Sequence, residues 1–593
     1  MPLPHLQRLL GELRRLEELE KSSTARAAYA LPALWFAPHH RNGRVVVQSP
    51  AATFATAIEQ IISSPQQPQP TGLDRCTIYS LLVRYATAFD HDNSSGAEHE
   101  PWYTDSISAS SALNTASIAS NTNSASIASS IDTASAAHAE LTALCTRDGW
   151  RCTGTFLKTI ILLPYLKHLG INTLYVLPVF APGQVHRKGS LGSVFAVRDL
   201  HALDPMLAEP LCALSAEDQF HAFVETCHHL GFKILCEFPL RTTSRDARWC
   251  TEHPEWYYWV RESAGRLQPP SFTDEQLSII RSKVHRKDWR DLPQPGEAYR
   301  ELFVDIPKEL ATTHRDARGQ VFAESGGGSR CEIPGAFADY PPDDSQPLWD
   351  DVTYLRLHNH PNFAYMAYNT IRMYDEHLRK SMYERSDLWQ ELSDVIPAYI
   401  RRFDIDGAVL DMSHALPDKL RSMIIKNARA LKPEFVFVEE NFAREQESAA
   451  LGFDAVLGDS WWHAGSVESL QEYVAKNEES TEENQTGIHT AMPVFAALDT
   501  HNTPRCATRI RRDELASAYA TVFSLKNSIP MVLQGSEFGE TTPINTGLLF
   551  SEEQLAMYPP QRLALFSAVR MMWENADLAL RDEVRMLLLS SRM

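Results

Sequence analysis

The chain has 593 residues and a formal charge of −19, from 56 Lys and Arg against 75 Asp and Glu. An acidic field of that size repels phosphate backbones and anionic lipid surfaces, which excludes a general nucleic-acid or membrane-surface role. At 44% hydrophobic and 22% charged residues the composition is that of a folded soluble protein, too long for one ordinary domain. The N-terminus (MPLPHLQRLLGELRRLEELEK) has the pattern of a charged amphipathic helix, without the basic–apolar–small order of a secretory signal. Residues 1–74 are expected to form a partly helical N-terminal segment.

From residue 75 the pattern changes. A first strand is predicted at IYSLLVRY (78–85), followed by a Ser/Ala/Asn/Thr-rich stretch at 93–137 in which TASIAS (115–120) recurs as SASIAS (124–129). Too few bulky apolar groups lie there to offset the ordering entropy, so this is expected to be a disordered surface insertion. After residue 150 short β-branched runs alternate with helical-period segments. The further strands are NTLYVLPVF (172–180), FKILCEFPL (232–240), DGAVLDM (406–412), EFVFVEEN (434–441), DAVLGD (454–459), MPVFAALDT (492–500) and SIPMVLQG (528–535). Helices are predicted at FLKTIILLPYLKHL, DKLRSMIIKNARAL, SVESLQEYVAKN, DELASAYATVFSLKN and QRLALFSAVRMMWENADLAL. Eight strands with interleaved helices predict an α/β fold, a (β/α)8 TIM barrel over 75–580, with a doubly wound open sheet as the other arrangement. Residues 241–404 form a long insertion after strand 3, including the helix-like FAYMAYNTIRMYDEHLRK, and are expected to wall the cleft. Residues 581–593 read as a short tail, with no room for a C-terminal β-sandwich. No apolar run reaches the ~20 residues of a spanning helix; the nearest, 160–180, is broken by Pro164, Lys167, His168, Gly170 and Asn172.

In such a barrel chemistry sits at the C-terminal strand ends. Those ends carry Glu237, Asp411, Glu439, Glu440, Asp499, His501, Asn502 and Glu537. A single acidic residue there is commonly a helix cap. Asp411 and Glu440 differ, because each closes an apolar strand and the two strands are consecutive. Neighbouring strands lie about 4.8 Å apart, so their terminal carboxylates can approach one another. A pair about 5–5.5 Å apart serves a retaining glycoside-cleaving enzyme as nucleophile and general acid/base. Aromatic clusters follow strand 3 (Trp249, Trp256, Tyr257, Tyr258, Trp259) and strand 6 (Trp461, Trp462), suited either to sugar faces or to core packing.

The order of GAVLDMSH, FVFVEENF, THNTPR, EHPEWYYW, LGFDAVLGDSWW and IPMVLQGSEFGE resembles the α-amylase superfamily, glycoside hydrolase family 13, especially its α-1,4-glucan maltosyltransferase branch. The resemblance implies Asp411 as nucleophile, Glu440 as acid/base, and position 502 as the third, transition-state-stabilising acid. It implies a substrate-binding set of His501, Glu237, Arg241, His414, Trp461 and Arg505. Three positions depart from the family pattern. The third acid is Asn502, the arginine two residues before the nucleophile is Val409, and the family's Asn-His is Arg241-Thr242. Arg241 is a candidate to replace the missing guanidinium from the side.

The expected function is therefore that of an α-glucan-active retaining hydrolase or transglycosylase in the cytoplasm, acting on an α-glucan or maltooligosaccharide. A weakened barrel that binds glucan or a partner without turnover stays open on Val409 and Asn502, and a phosphate-dependent glucan transferase on branch similarity. No cofactor is expected, since no P-loop or dinucleotide fingerprint occurs. No metal is expected either: His358 and His360 are two apart, and the nine cysteines, without a CxxC pair, read as reduced thiols. Deletion of 93–137 is expected to leave the melting temperature nearly unchanged, as scanning calorimetry of the shortened chain checks.

Overall fold

The computed structural model describes residues 2–22, 28–36, 43–91, 144–306, 313–324, 329–337, 349–367, 371–442, 446–483, 492–544, 547 and 550–591. The 93–137 insertion lies outside them. The eight predicted strands all form, and they close. Strands β1 (Ile78–Leu81), β2 (Thr173–Val176), β3 (Lys233–Phe238), β4 (Gly407–Leu410), β5 (Val436–Glu439), β6 (Ala455–Val456), β7 (Val494–Ala496) and β8 (Ser528–Leu533) make a closed parallel barrel in chain order, with β8 pairing back onto β1. A parallel neighbour needs a crossover, and helices supply most of them. These are α1 (Phe156–Leu169), α2 (Ala216–His229), α3 (Ser386–Phe403), α4 (Asp418–Leu431), α5 (Gln446–Leu451), α6 (Val467–Glu483) and α7 (Leu515–Phe523); α8 (Leu578–Ser590) closes the described chain. Among the described residues no helix is long and apolar enough to cross a membrane.

The strands alternate as strands must, with every second residue on the inner face. Ile78, Tyr175, Leu235, Val409, Val436, Val438, Ala455, Phe495, Ala497, Ile529 and Met531 form one buried apolar cluster filling the barrel. A second layer joins the outer faces of the strands to the helices, as with Leu174, Ile234, Ala408, Leu410 and Phe437. This explains why the strands read as nearly continuous apolar runs: both faces are covered.

Around the barrel the N-terminal segment contributes helices Pro4–Ser22 and Pro50–Ser63 and a β pair, Tyr29–Pro32 with Arg44–Val47. Leu6, Leu9, Leu13 and Leu16 form the first helix's buried stripe, at the three- and four-residue spacing of an amphipathic helix. Between β3 and β4 the chain builds a small unit of its own. Its antiparallel five-stranded sheet runs Phe303–Val304, Trp259–Arg261, Arg330–Glu332, Val321–Glu324, Thr313–Arg315. A short pair, Thr242–Ser244 with Val352–Tyr354, ties it to the end of β3.

Three expectations are corrected. The helical pattern at 561–580 is irregular until Leu578, where the Asp577 side chain accepts from the Ala579 and Leu580 N–H groups and starts α8. Residues 581–591 are therefore not a tail, because α8 buries Leu580, Val584 and Leu588. In 363–380 the described residues hold a 3-10 turn, Ile371–Tyr374, instead of a long helix. There the chain folds back so that the Arg372 guanidinium covers the rings of Phe363 and Tyr365, a contact a continuous helix would not permit.

Phe495 is fully buried in the barrel's apolar filling. Phe495→Ala is expected to lower unfolding free energy by about 3–5 kcal/mol, measured by denaturant titration.

Candidate active site

The inward alternation that fills the barrel continues one step past the apolar layer and changes chemistry. Leu235 is followed on the same face by Glu237, Val409 by Asp411, and Val438 by Glu440. Register joins them: Val409 lies opposite Glu237 on one side and Val438 on the other, and Leu410 opposite Glu439. The Asp411 N–H donates to the Phe238 carbonyl (3.3 Å), and the Glu440 N–H to the Leu410 carbonyl (3.2 Å). Asp411 and Glu440 thus emerge side by side at the ends of neighbouring strands. Met412 follows with φ 46°, a left-handed conformation rare outside glycine and commonest at functional sites. Its N–H donates to Glu440 Oε2 (2.6 Å), while the Asn502 amide donates to Oε1 (3.3 Å). His414 Nδ1 sits 3.2 Å from the Glu440 carbonyl.

The electrostatics follow from burial without a counter-charge. Burial holds Asp411 well above the ordinary carboxylate range, reinforced by the neighbouring Glu440 charge. Glu237 is raised in the same sense, by burial first, then by Asp411 and Glu440. Neither Glu237 oxygen, nor the Tyr175 hydroxyl alongside, makes a well-formed hydrogen bond among the described residues. His501 Nε2 is 4.0 Å from Glu237 Oε1, and its ring stacks on Phe195 at 5.6 Å. Burial pushes His501 down to about 4, so it is neutral at pH 7 and lends the cluster no positive charge. Burial and mutual repulsion thus favour the protonated forms of Asp411 and Glu237 at this mouth.

Other predicted residues have different partners. Arg241 does not reach Asp411: its Nη1 donates to the Leu355 carbonyl (2.6 Å), and its guanidinium covers the Tyr354 ring at 4.6 Å. The antiparallel pairing of 242–244 draws it toward the insertion, so Val409 leaves an apolar gap that no arginine fills. Arg505 is buried against backbone, donating to the carbonyls of Thr542 and Gln534 (2.8 and 2.7 Å), a brace for the chain after β8. Trp461 packs into the barrel filling at 1% exposure, whereas Trp462 is 41% exposed. Trp249, Trp256, Tyr257, Tyr258 and Trp259 are all buried and serve packing. Glu439 points outward to Arg421 and Ser413. Asp499 takes the Cys506 N–H (2.9 Å) and the Ser536 hydroxyl. Glu537 accepts from Tyr79 and Tyr165 (3.0 Å each).

Tyr175, Phe195 and Met412 were not singled out in the sequence. Tyr175 could have been, as the one aromatic on the inner face of an otherwise aliphatic β2. The left-handed Met412 leaves no local signal. Among the described residues one trio, Asp291, Glu376 and His377, is close enough to share a cation, but all three are exposed.

The raised Glu237 fixes a sign. The native state keeps a proton that the unfolded chain releases near pH ~4.3. Stability therefore falls as pH rises from there toward the folded pKa, by up to about 1.4 kcal/mol per pH unit for each proton held. Glu237→Gln is expected to flatten part of that fall and to raise the melting temperature at pH 7, with the gain vanishing below pH ~4. Thermal melts across pH 3.5–8 check it; a lower melting temperature at pH 7 would contradict it.

No protein-family model matches the chain. Characterised sequences do. An α-1,4-glucan:maltose-1-phosphate maltosyltransferase of Cereibacter sphaeroides is 33% identical over 141 residues, 21% of this chain and 20% of its own. That of Chlorobaculum tepidum is 26% identical over 160 residues, 26% and 23% of the two chains. That of Bifidobacterium animalis subsp. lactis is 22% identical over 314 residues, 45% and 37%. The chain thus spans about a fifth of the first of these relatives and under two fifths of the third. Among solved structures, an α-amylase from Lactobacillus plantarum superposes with a TM-score of 0.47 at 16% identity, over 88% of this chain and 81% of that one. The maltogenic α-amylase AmyB of Thermotoga neapolitana gives 0.47 at 15%, over 88% and 77%. The matched stretches of this chain are similar to the α-1,4-glucan:maltose-1-phosphate maltosyltransferases, the branch of the α-amylase superfamily that its strand-end motifs resemble.

Proposed function

We propose that this chain is an α-glucan-active retaining glycoside hydrolase or transglycosylase. The observation that carries the reading is the pairing of Asp411 and Glu440 as neighbouring inward residues past an apolar barrel layer. In this reading Asp411 attacks the anomeric carbon while Glu440 protonates the departing glycosidic oxygen. The resulting glycosyl-enzyme is opened by water, giving hydrolysis, or by a sugar hydroxyl, giving transfer; Glu440 then acts as base. The relatives' names support an α-glucan as partner and a maltosyl group as the unit moved. A cytoplasmic setting fits nine cysteines of which eight are buried.

Two residues set how well the step runs. Asn502 holds Glu440 Oε1 but carries no charge, so the cationic transition state lacks one stabilising anion. Val409 supplies no guanidinium, so Asp411 must give up a proton before it can attack, and activity should climb with pH on the acid side. The two departures suit one another. With no cation at 409, a third carboxylate at 502 would add like charge and push Asp411 further up.

The test is incubation with maltooligosaccharides, with and without phosphate or maltose-1-phosphate, followed by product chromatography. Asp411→Asn is expected to abolish turnover and spare glucan binding, and the paired Val409→Arg/Asn502→Asp variant to raise turnover. Binding without turnover in both wild type and pair identifies a glucan-binding barrel; neither binding nor turnover ends the glucan reading.

A further inference from the structure

Beyond the end of β3, where the insertion meets the barrel, two arginines are buried together. Arg241 and Arg372 are each 2% exposed. Each makes one side-chain hydrogen bond, Arg241 Nη1 to the Leu355 carbonyl (2.6 Å) and Arg372 Nη2 to the Phe363 carbonyl (3.0 Å). Arg241 Nε and Arg372 Nη1 are buried with no partner among the described residues. Both line one cavity, with Tyr258, Tyr354 and Phe337 among its walls. Tyr354 hands its hydroxyl to the Phe337 carbonyl (2.5 Å), which holds these two walls together.

Among the described residues no carboxylate forms an ion pair or hydrogen bond with either guanidinium. The charges felt by Arg241 come from Tyr258, Tyr354 and the like charge of Arg372. The nearby imidazole of His358 is pushed down to about 3 by burial and by both arginines, so it is neutral and adds no anion. Asp375, buried nearby in sequence, takes the His377 N–H instead of pairing with Arg372. Two guanidiniums cannot shed their protons, and burying them uncompensated is costly. Aromatic faces offset part of that cost but supply no full counter-charge.

We propose that the cavity between Arg241 and Arg372 binds a chloride-sized monovalent anion, which bridges the two guanidiniums and pins the insertion to the barrel end. The void is small, about 10 Å³, on the scale of one water or one small ion. Water fits too, but leaves both charges unbalanced. The Arg241 carbonyl accepts from the Leu355 N–H (3.2 Å), so the same residue clamps β3's extension to the insertion through its backbone and, with the anion, through its side chain. This inference is independent of any activity at the carboxyl cluster.

The test uses the full chain. Melting temperature is measured against chloride, bromide, sulfate and gluconate as sodium salts at constant ionic strength. The expected result is a saturable rise of a few degrees with chloride and bromide only. Crystals grown in bromide should show an anomalous peak within contact distance of both guanidiniums. Arg372→Met is expected to erase the halide response; if it does not fold, the bromide peak in wild type carries the decision. Equal stabilisation by all four salts with no bromide peak at the pair overturns the proposal. So does saturation by sulfate alone, which would mean a larger oxyanion.

Discussion

The structure turns on one constraint: carboxyl groups stand on an apolar barrel filling with no cation among them. Leu235, Val409 and Val438 belong to that filling, and Glu237, Asp411 and Glu440 are the next inward residues on the same three strands, Glu237 level with Val409 and the other two one step beyond. Period-two alternation and parallel register force this stacking, so the carboxyls cannot turn away without moving the strands. Their charge must then be relieved by protons. Burial and repulsion from neighbouring carboxylates are what raise Asp411 and Glu237.

The arginines near the mouth are committed elsewhere. Arg421 serves Glu439 on the outer face, Arg505 braces the turn after β8, and Arg509 holds the carbonyls of Trp461 and Leu498. Arg241, the residue best placed in sequence to compensate for Val409, is drawn off by the strand pairing at 242–244. Positive charge is plentiful at this end of the barrel, yet separated from the negative cluster. The separation leaves one region short of cations and another, around Arg241 and Arg372, short of anions.

The barrel was legible in the sequence because each strand is an unbroken run of β-branched and apolar residues. The α1 and α4 boundaries coincide with the predicted segments, whereas α2, α3 and α5 were not among the predicted helices. Where apolar residues were spaced as in a helix but belonged to folded-back chain, as at 363–380 and 561–577, periodicity misled. Contacts such as Arg372 on Phe363 and Tyr365 look like helical spacing and are loop packing. The five-stranded sheet of the insertion was missed because its strands are two to four residues long, below any period.

By itself the sequence determined the fold class, the order of strand ends and the identity of the Asp411–Glu440 pair, since these depend on local periodicity and on which strands are consecutive. Only the tertiary structure decided which neighbour each charged or aromatic residue meets. It separated Glu440, inward, from Glu439, outward against Arg421; buried Trp461 while exposing Trp462; and sent Arg241 away from Asp411. The reason is physical: a residue's face is set by its own strand, but its partner is set by register and by segments that cross from more than 100 residues away, such as Leu355 over Arg241.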